Sequence, residues 1–294
     1  MDPISVQDLR SGSPTNVYER RGKNSLHYSF YHLHRANSTN NIHFLQTDGL
    51  PRASLMRDLQ KFEIMHNRGS VVNWMTGAAF SIGISNSALF HAVQLLDRSG
   101  IVLSCKNVLP AMSALWLATK YENLFHPSSS LILQLAHTQY SKDQLHKQEV
   151  AILSAVGYRL SLPTVKTFLC FYMSHMLYCK KFYLCTSYLA ELSLLDTQLV
   201  SCLPSKVAAS VYVWGMVLTS KCYEIKDIVL VTGYKMGVII PIIRRIAHLH
   251  QAARNCDKPC VISMKYMDEE FGCMAMIAPL SYMEIEMIVI GMEG

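Results

Sequence analysis

The chain has 294 residues and a formal net charge of +6, and its composition is 50% hydrophobic but only 16% charged. Because disordered chains combine few apolar residues with a high net charge, this composition excludes disorder over the whole chain. The nine cysteines are odd in number and irregularly spaced, which favours reduced thiols over a secreted disulfide framework. We therefore expect a soluble protein of the nucleus and cytoplasm with a large apolar core.

The charges are divided unevenly along the chain. No Lys or Arg follows Lys265, whereas six acidic residues do, so the last 29 residues carry −6 and the first 265 carry +12. The basic residues of the body are dispersed and form no long run, which is typical of a solvated face, and we expect no direct contact with nucleic acid. The longest stretch without Asp, Glu, Lys or Arg, residues 69–96, contains Asn73, Asn86 and His91, so we expect no membrane span.

The pattern of apolar residues changes after the first 55 positions. Residues 1–55 are rich in Asn, Ser, His and Gly and show no sustained period, which predicts a flexible leader. From there to about Ala253 the apolar period is helical, with almost no strand-like alternation. Within this body, Ser85 or Asn86 can begin a helix that Gly100 ends. The pattern predicts an all-α protein.

Two predicted helices, residues 107–119 and 207–220, have no charged residue on any side. A helix that is apolar all round must be enclosed by other helices. Each contains a tryptophan, Trp116 or Trp214, and they lie about 100 residues apart, which suggests a faint internal duplication. The length leaves room for two tandem five-helix bundles. The predicted divisions are a leader 1–55, a first bundle 56–160, a second bundle 161–265 and an acidic, apolar tail 266–294.

One charged residue falls inside the apolar stripe of a predicted helix. Ser141 and Gln144 form the pattern of a capping box that begins this helix. At about 100° per residue, Glu149 lies within its apolar face. That face consists of Leu145, Ile152, Leu153 and Val156. Because burying an unpaired carboxylate is costly, Glu149 reaches water at the margin or is paired within its own bundle. Lys120, at the end of the first uncharged helix, complements the helix dipole.

Two segments near the carboxyl end allow alternative interpretations. The tail, residues 266–294, alternates acidic with bulky apolar residues as activation domains do, or else it packs on or frays from the second bundle. Four side chains could offer zinc ligands, but their spacing matches no common zinc finger, so we predict no metal site. They are His248, His250, Cys256 and Cys260. Because the sequence contains no nucleophile elbow, phosphate loop or metal triad, we expect that the protein binds no cofactor and is not an enzyme.

Several short segments have an order and spacing that resemble the cyclin family. In the first half they read RGSVVNWM at 68–75, LFHAVQLLDR at 89–98, ALWLATKYE at 114–122, YSKDQLHKQE at 140–149 and YRLSLPT at 158–164. In the second half the match is looser, and LAELSLLD at 189–196 and LPSKVAA at 203–209 resemble A- and B-type cyclins. The resemblance covers about residues 56–265 and implies two tandem cyclin folds. Its departures, together with the acidic tail, make this a divergent member similar to cyclins captured by viruses, including retroviral ones.

The resemblance also implies a function. Cyclins have no active site; they bind a cyclin-dependent kinase beside its PSTAIRE-type helix and activate it in cell-cycle control. By the family pattern, Lys120 reaches kinase backbone carbonyls and Glu149 accepts from kinase backbone N–H groups, while Arg68 pairs with Asp97 inside the first fold. The alternative, implied by the viral cyclins, is a regulator of transcription that acts through a transcriptional kinase, the transcription machinery and the acidic tail.

The family pattern also places a substrate groove near Val71, Trp74 and Val108. Mitotic cyclins have a Met and further aliphatic residues where this chain has Asn67, Gly69, Ser70 and Val71, and Val108 stands where a Gln often helps to bind substrate. These departures argue against the recruitment of Arg-x-Leu substrates.

Overall fold

The computed structural model describes residues 62–293 except 102, 105–106, 137–139, 176–177 and 221–223, so the predicted leader lies outside the described residues. Within these ranges the chain forms α-helices, three short 3₁₀ turns and one isolated bridge between Ser104 and Asn107, but no strand. The prediction of an all-α protein is confirmed. The helices are α1 (Phe62–Ser81), α2 (Asn86–Ser99), α3 (Leu109–Glu122), α4 (Ser129–Gln134), α5 (Lys142–Ala155), α6 (Val165–Met173), α7 (Lys180–Leu195), α8 (Pro204–Leu218), α9 (Ile225–Thr232), α10 (Met236–Asn255), α11 (Val261–Tyr266) and α12 (Tyr282–Glu293).

Two five-helix bundles follow one another along the chain. In the first, α1–α5, helix α3 lies at the centre and packs against α1, α2 and α5. Pro110 is tolerated in α3 because it occupies the first turn, where its missing N–H would have no partner in the helix. In the second, α6–α10, helix α8 is central and packs against α6, α7 and α10. Both central helices are the uncharged ones, as predicted.

Helix caps explain why several elements begin and end where they do. The Ser85 hydroxyl accepts from the Ala88 N–H at the start of α2, and Gly100 ends that helix in the left-handed conformation with φ of 67°. Ser141 and Gln144 form both bonds of the predicted capping box at the start of α5. Gly157, with φ of 63°, follows the end of α5. Glycine adopts these positive φ values at little steric cost.

A buried polar network joins the two bundles. The Glu191 carboxylate in α7 is fully buried and accepts from Lys265 Nζ at 2.8 and 3.0 Å, from Tyr266 Oη at 2.7 Å and from Asn86 Nδ2 at 2.7 Å. Asn86 belongs to the first bundle, whereas Lys265 and Tyr266 end α11, which packs between α1 and α7. Burial and the Glu191 charge hold the pKa of Tyr266 well above its usual value. The network fixes α11 against both bundles.

The segment predicted as a tail is part of the packed structure. Helix α12 lies on α10 and buries Ile285, Val289 and Met292. Arg244 of α10 forms an ion pair with Glu286 at 3.0 Å. The structure therefore has the packed form among the alternatives for this segment. None of the described helices is both long and apolar enough to cross a membrane.

Candidate functional site

Lys120 and Glu149 form an ion pair across two helices of the first bundle. Lys120 lies in the last turn of α3 and Glu149 in the middle of α5, and the ammonium donates to Glu149 Oε1. Glu149 is 7% exposed, whereas the Lys120 side chain is 28% exposed, so the pair reaches the surface through the lysine. The carboxylate inside the apolar stripe therefore has a partner within its own bundle, which was one of the two expectations from the residues alone.

Two aromatic side chains flank this ion pair. The Lys120 ammonium lies 3.9 Å from the centroid of the Trp116 ring, and His146 packs against the same ring with centroids 5.1 Å apart at 63°. His146 Nδ1 is 3.6 Å from Glu149 Oε2. The sequence prediction treated Trp116 only as part of an enclosed helix. The sequence did contain a signal for these contacts. Trp116 and Lys120 are four positions apart in α3, and His146 and Glu149 are three positions apart in α5, so each pair shares a helix face.

Exposed apolar side chains adjoin the pair along the chain. Leu124 and Phe125, in the segment after α3, are 70% and 83% exposed, and Val150, next to Glu149, is 57% exposed. The Trp116 indole N–H donates to the Pro127 carbonyl oxygen at 3.1 Å and so ties this segment to α3. Exposed apolar residues grouped beside polar ones are typical of a protein-binding surface. The sequence prediction did not include these three residues.

Arg68 and Asp97 form a two-pronged ion pair. Arg68 Nε and Nη2 donate to the two carboxylate oxygens of Asp97, each at 2.8 Å. Its Nη1 donates to the Leu194 carbonyl oxygen in α7, also at 2.8 Å. The pairing is that of the family pattern, and the third bond extends it to the second bundle. A cleft of about 80 Å³ beside the pair is lined by both bundles.

The three residues that the family pattern places near a substrate groove all pack against the core of the first bundle. Val71 is 2% exposed and lies within that core. Trp74 in α1 and Val108 at the start of α3 are partly buried against the same core.

The four residues considered as zinc ligands do not form a site. Among the described residues, no group of three or more His, Cys, Asp and Glu side chains is placed to hold a metal ion. His250 is buried in α10, and this burial lowers its pKa to about 4, which keeps the imidazole neutral. The Cys260 sulfur instead accepts from the Ser263 N–H at the start of α11.

Comparisons with solved structures relate the fold to two others. A viral cyclin from herpesvirus saimiri superimposes with a TM-score of 0.62 at 15% identity, over 71% of this chain and 95% of that one. A chain of the yeast RNA polymerase II CTD kinase CTDK-1 complex superimposes with a TM-score of 0.55 at 12% identity, over 82% of each chain. At these identities the likeness concerns the fold alone.

Comparisons of sequence identify the family. The family model "Cyclin, N-terminal domain" matches residues 38–161, which reach into the predicted leader, and "Cyclin, C-terminal domain" matches residues 163–280. Putative cyclin-A3-1 of Arabidopsis thaliana is 31% identical over 79% of this chain and 68% of its own length. The chain spans about half of two other relatives: 54% of cyclin-A1 of Carassius auratus, at 29% identity over 71% of this chain, and 52% of putative cyclin-F3-2 of Oryza sativa subsp. japonica, at 33% identity over 69% of this chain. The chain belongs to the cyclin family.

Proposed function

We propose that this chain is the regulatory subunit of a cyclin-dependent protein kinase in cell-cycle control. The kinase docks its PSTAIRE-type helix on the kinase-binding surface, which we define as Lys120, Glu149, Leu124, Phe125 and Val150. The observation that carries the proposal is the surface ion pair between α3 and α5 with exposed apolar side chains beside it. Membership of the cyclin family supports a regulatory subunit rather than an enzyme.

The surface has the groups needed to hold a helix end. An ammonium has three donors, and among the described contacts the Lys120 ammonium has Glu149 as its hydrogen-bond acceptor, so it can donate further to backbone carbonyls. The Glu149 carboxylate can accept from backbone N–H groups at the same time. Burial of Leu124 and Phe125 against the partner would supply the apolar part of the affinity. The kinase's own Lys and Glu then pair in the position that catalysis requires.

A double substitution of the ion pair tests this proposal. Lys120→Ala combined with Glu149→Ala should abolish co-purification with a cyclin-dependent kinase while the helical circular dichroism signal is unchanged. The matched control is Lys226→Ala combined with Glu224→Ala, an exposed ion pair in the second bundle, which should leave co-purification intact. Equal recovery of kinase with wild type and with the Lys120/Glu149 variant would contradict the proposal.

A second function is favoured by the outer face of α12. Although its inner face packs on α10, Met283, Met287 and Ile290 are exposed on a helix that also carries acidic side chains. We propose as the alternative that this face contacts the transcription machinery. The full chain fused to a DNA-binding domain should then activate a reporter, and substitution of these three residues by Ser should reduce the signal. A fusion that leaves the reporter at its basal level argues against this alternative.

A further inference from the structure

Trp116 makes polar and aromatic contacts from one buried position. Its ring lies under the Lys120 ammonium and forms an edge contact with the His146 ring, and its N–H donates to the Pro127 carbonyl oxygen. We propose that Trp116 is the positioning residue of the kinase-binding surface: it holds the charged pair and the apolar segment in the arrangement that a partner helix meets. This inference rests on the proposed function, because it assigns a role within that same surface.

The first contact restricts the Lys120 side chain. A free lysine loses considerable rotamer entropy when its ammonium is fixed. Here the ammonium lies 3.9 Å from the centroid of the Trp116 ring and simultaneously donates to Glu149. An aromatic face at this distance attracts a cation, most strongly when the ring is that of tryptophan. The side chain is therefore ordered before a partner arrives.

The second contact restricts the segment that carries the exposed apolar residues. The indole N–H donates to the Pro127 carbonyl oxygen at 3.1 Å, and Pro127 lies two residues after Phe125 in the segment between α3 and α4. At the far end of this segment, Ser128 caps α4 by accepting from the Leu131 N–H. The segment is thus tied to α3 through Pro127 and to α4 through Ser128. A preorganised loop loses less entropy when it is buried by a partner.

The third contact extends the effect of Trp116 to the carboxylate. His146 packs edge-on against the indole with ring centroids 5.1 Å apart, and its Nδ1 is 3.6 Å from Glu149 Oε2. The indole therefore contacts Lys120 directly and is linked to Glu149 through His146. Ser113, one turn earlier in α3, binds the Leu145 carbonyl of α5 at 3.3 Å and keeps the two helices in register.

The second bundle contains the comparison residue. Trp214 occupies the central helix α8 and is 1% exposed. Within the described part of the chain, its indole N–H has no hydrogen-bond acceptor. Trp214 thus fills a core without organising a surface, and a change at this position should affect stability but not partner binding.

The experiment uses the full chain with Trp116→Phe, Trp116→Leu or, as control, Trp214→Phe. Loss of the indole N–H should weaken kinase affinity about fivefold in Trp116→Phe, and loss of the ring as well should weaken it about 30-fold in Trp116→Leu. Amide hydrogen exchange of residues 123–128 should become faster in both. Trp214→Phe should lower the melting temperature and leave affinity and the exchange of this segment unchanged.

The two possible failures are distinguishable. If wild type binds kinase and both Trp116 variants bind equally well, the positioning role is wrong and the proposed function stands. If wild type binds no cyclin-dependent kinase, the proposed function is wrong. In that case hydrogen exchange still tests the positioning role, which unchanged exchange of residues 123–128 in Trp116→Phe would overturn. Unchanged exchange overturns it even where affinity falls.

Discussion

The two bundles share a plan and differ in what their central helices present to the surface. In the first, the last turn of α3 carries Lys120, which pairs with Glu149 and lies over the Trp116 ring. In the second, α8 buries Trp214 completely, and α7, which packs on α8, carries the buried Glu191. The same helical arrangement therefore supports a charged pair that is partly open to solvent in one bundle, whereas the other contributes Glu191 to the sealed polar network that joins the two bundles. Charge at the surface is available to a partner, whereas charge in the interior fixes the architecture.

The largest expected effect is on the sealed network. Glu191→Ala leaves the Lys265 ammonium buried without its carboxylate, which should lower the free energy of unfolding by about 3–5 kcal/mol. Urea denaturation followed by circular dichroism measures this loss. Glu149→Ala, which leaves a partly exposed lysine, should cost clearly less. Equal losses in the two variants would show that the distinction between the bundles is wrong.

Removal of exposed apolar side chains from the first bundle tests the comparison through binding affinity. Leu124→Ser combined with Phe125→Ser should weaken kinase affinity at least tenfold, because two apolar groups no longer become buried against the partner. The free energy of unfolding should change by no more than about 0.5 kcal/mol, since neither side chain is in the core.

The second bundle provides the control for this change. Ile225→Ser combined with Leu230→Ser removes two exposed apolar residues of α9 and should leave affinity unchanged. Isothermal titration calorimetry measures both double variants against the same kinase. A similar loss in the two would mean that exposed apolar area anywhere on the chain contributes to binding, and that the kinase-binding surface is not specific.

Stability should also depend on pH through His250, which is buried in α10. Burial lowers the pKa of His250 to about 4 from a reference value of 6.5, so the unfolded chain binds the proton more tightly than the folded one. Its contribution to stability is complete above about pH 6.5 and is lost as the pH falls towards 4. Between pH 7.5 and 5 this should remove about 2 kcal/mol from the free energy of unfolding.

Substitution separates this histidine from the other titrating groups. His250→Gln should flatten the dependence of the unfolding free energy on pH by that amount. Denaturation curves at several pH values provide the measurement. An unaltered slope in His250→Gln would show that the buried imidazole is not responsible.

Much of the fold follows from local patterns in the sequence. The helical period, the Ser85 cap, the Ser141–Gln144 capping box and the uncharged central helices are all set by residues within a few positions of one another. The unusual position of Glu149 is also visible locally, because it interrupts an apolar stripe. Such features are predictable since a helix determines which neighbours share a face.

Contacts between distant helices were harder to predict. The partner of Glu149 is 29 positions away, and Glu191 joins residues 74 and 105 positions away, so both depend on how the bundles pack. The packing of α12 likewise depends on the apolar face that α10 offers.

We propose that this chain activates a kinase through the kinase-binding surface of its first bundle. The most direct measurement is the rate at which a monomeric cyclin-dependent kinase phosphorylates a peptide, with and without the purified chain, across a panel of such kinases. We predict that at least one kinase is activated at least tenfold by wild type and remains at its basal rate with the Lys120→Ala, Glu149→Ala variant. Basal rates for every kinase in the presence of folded wild-type chain would contradict the claim.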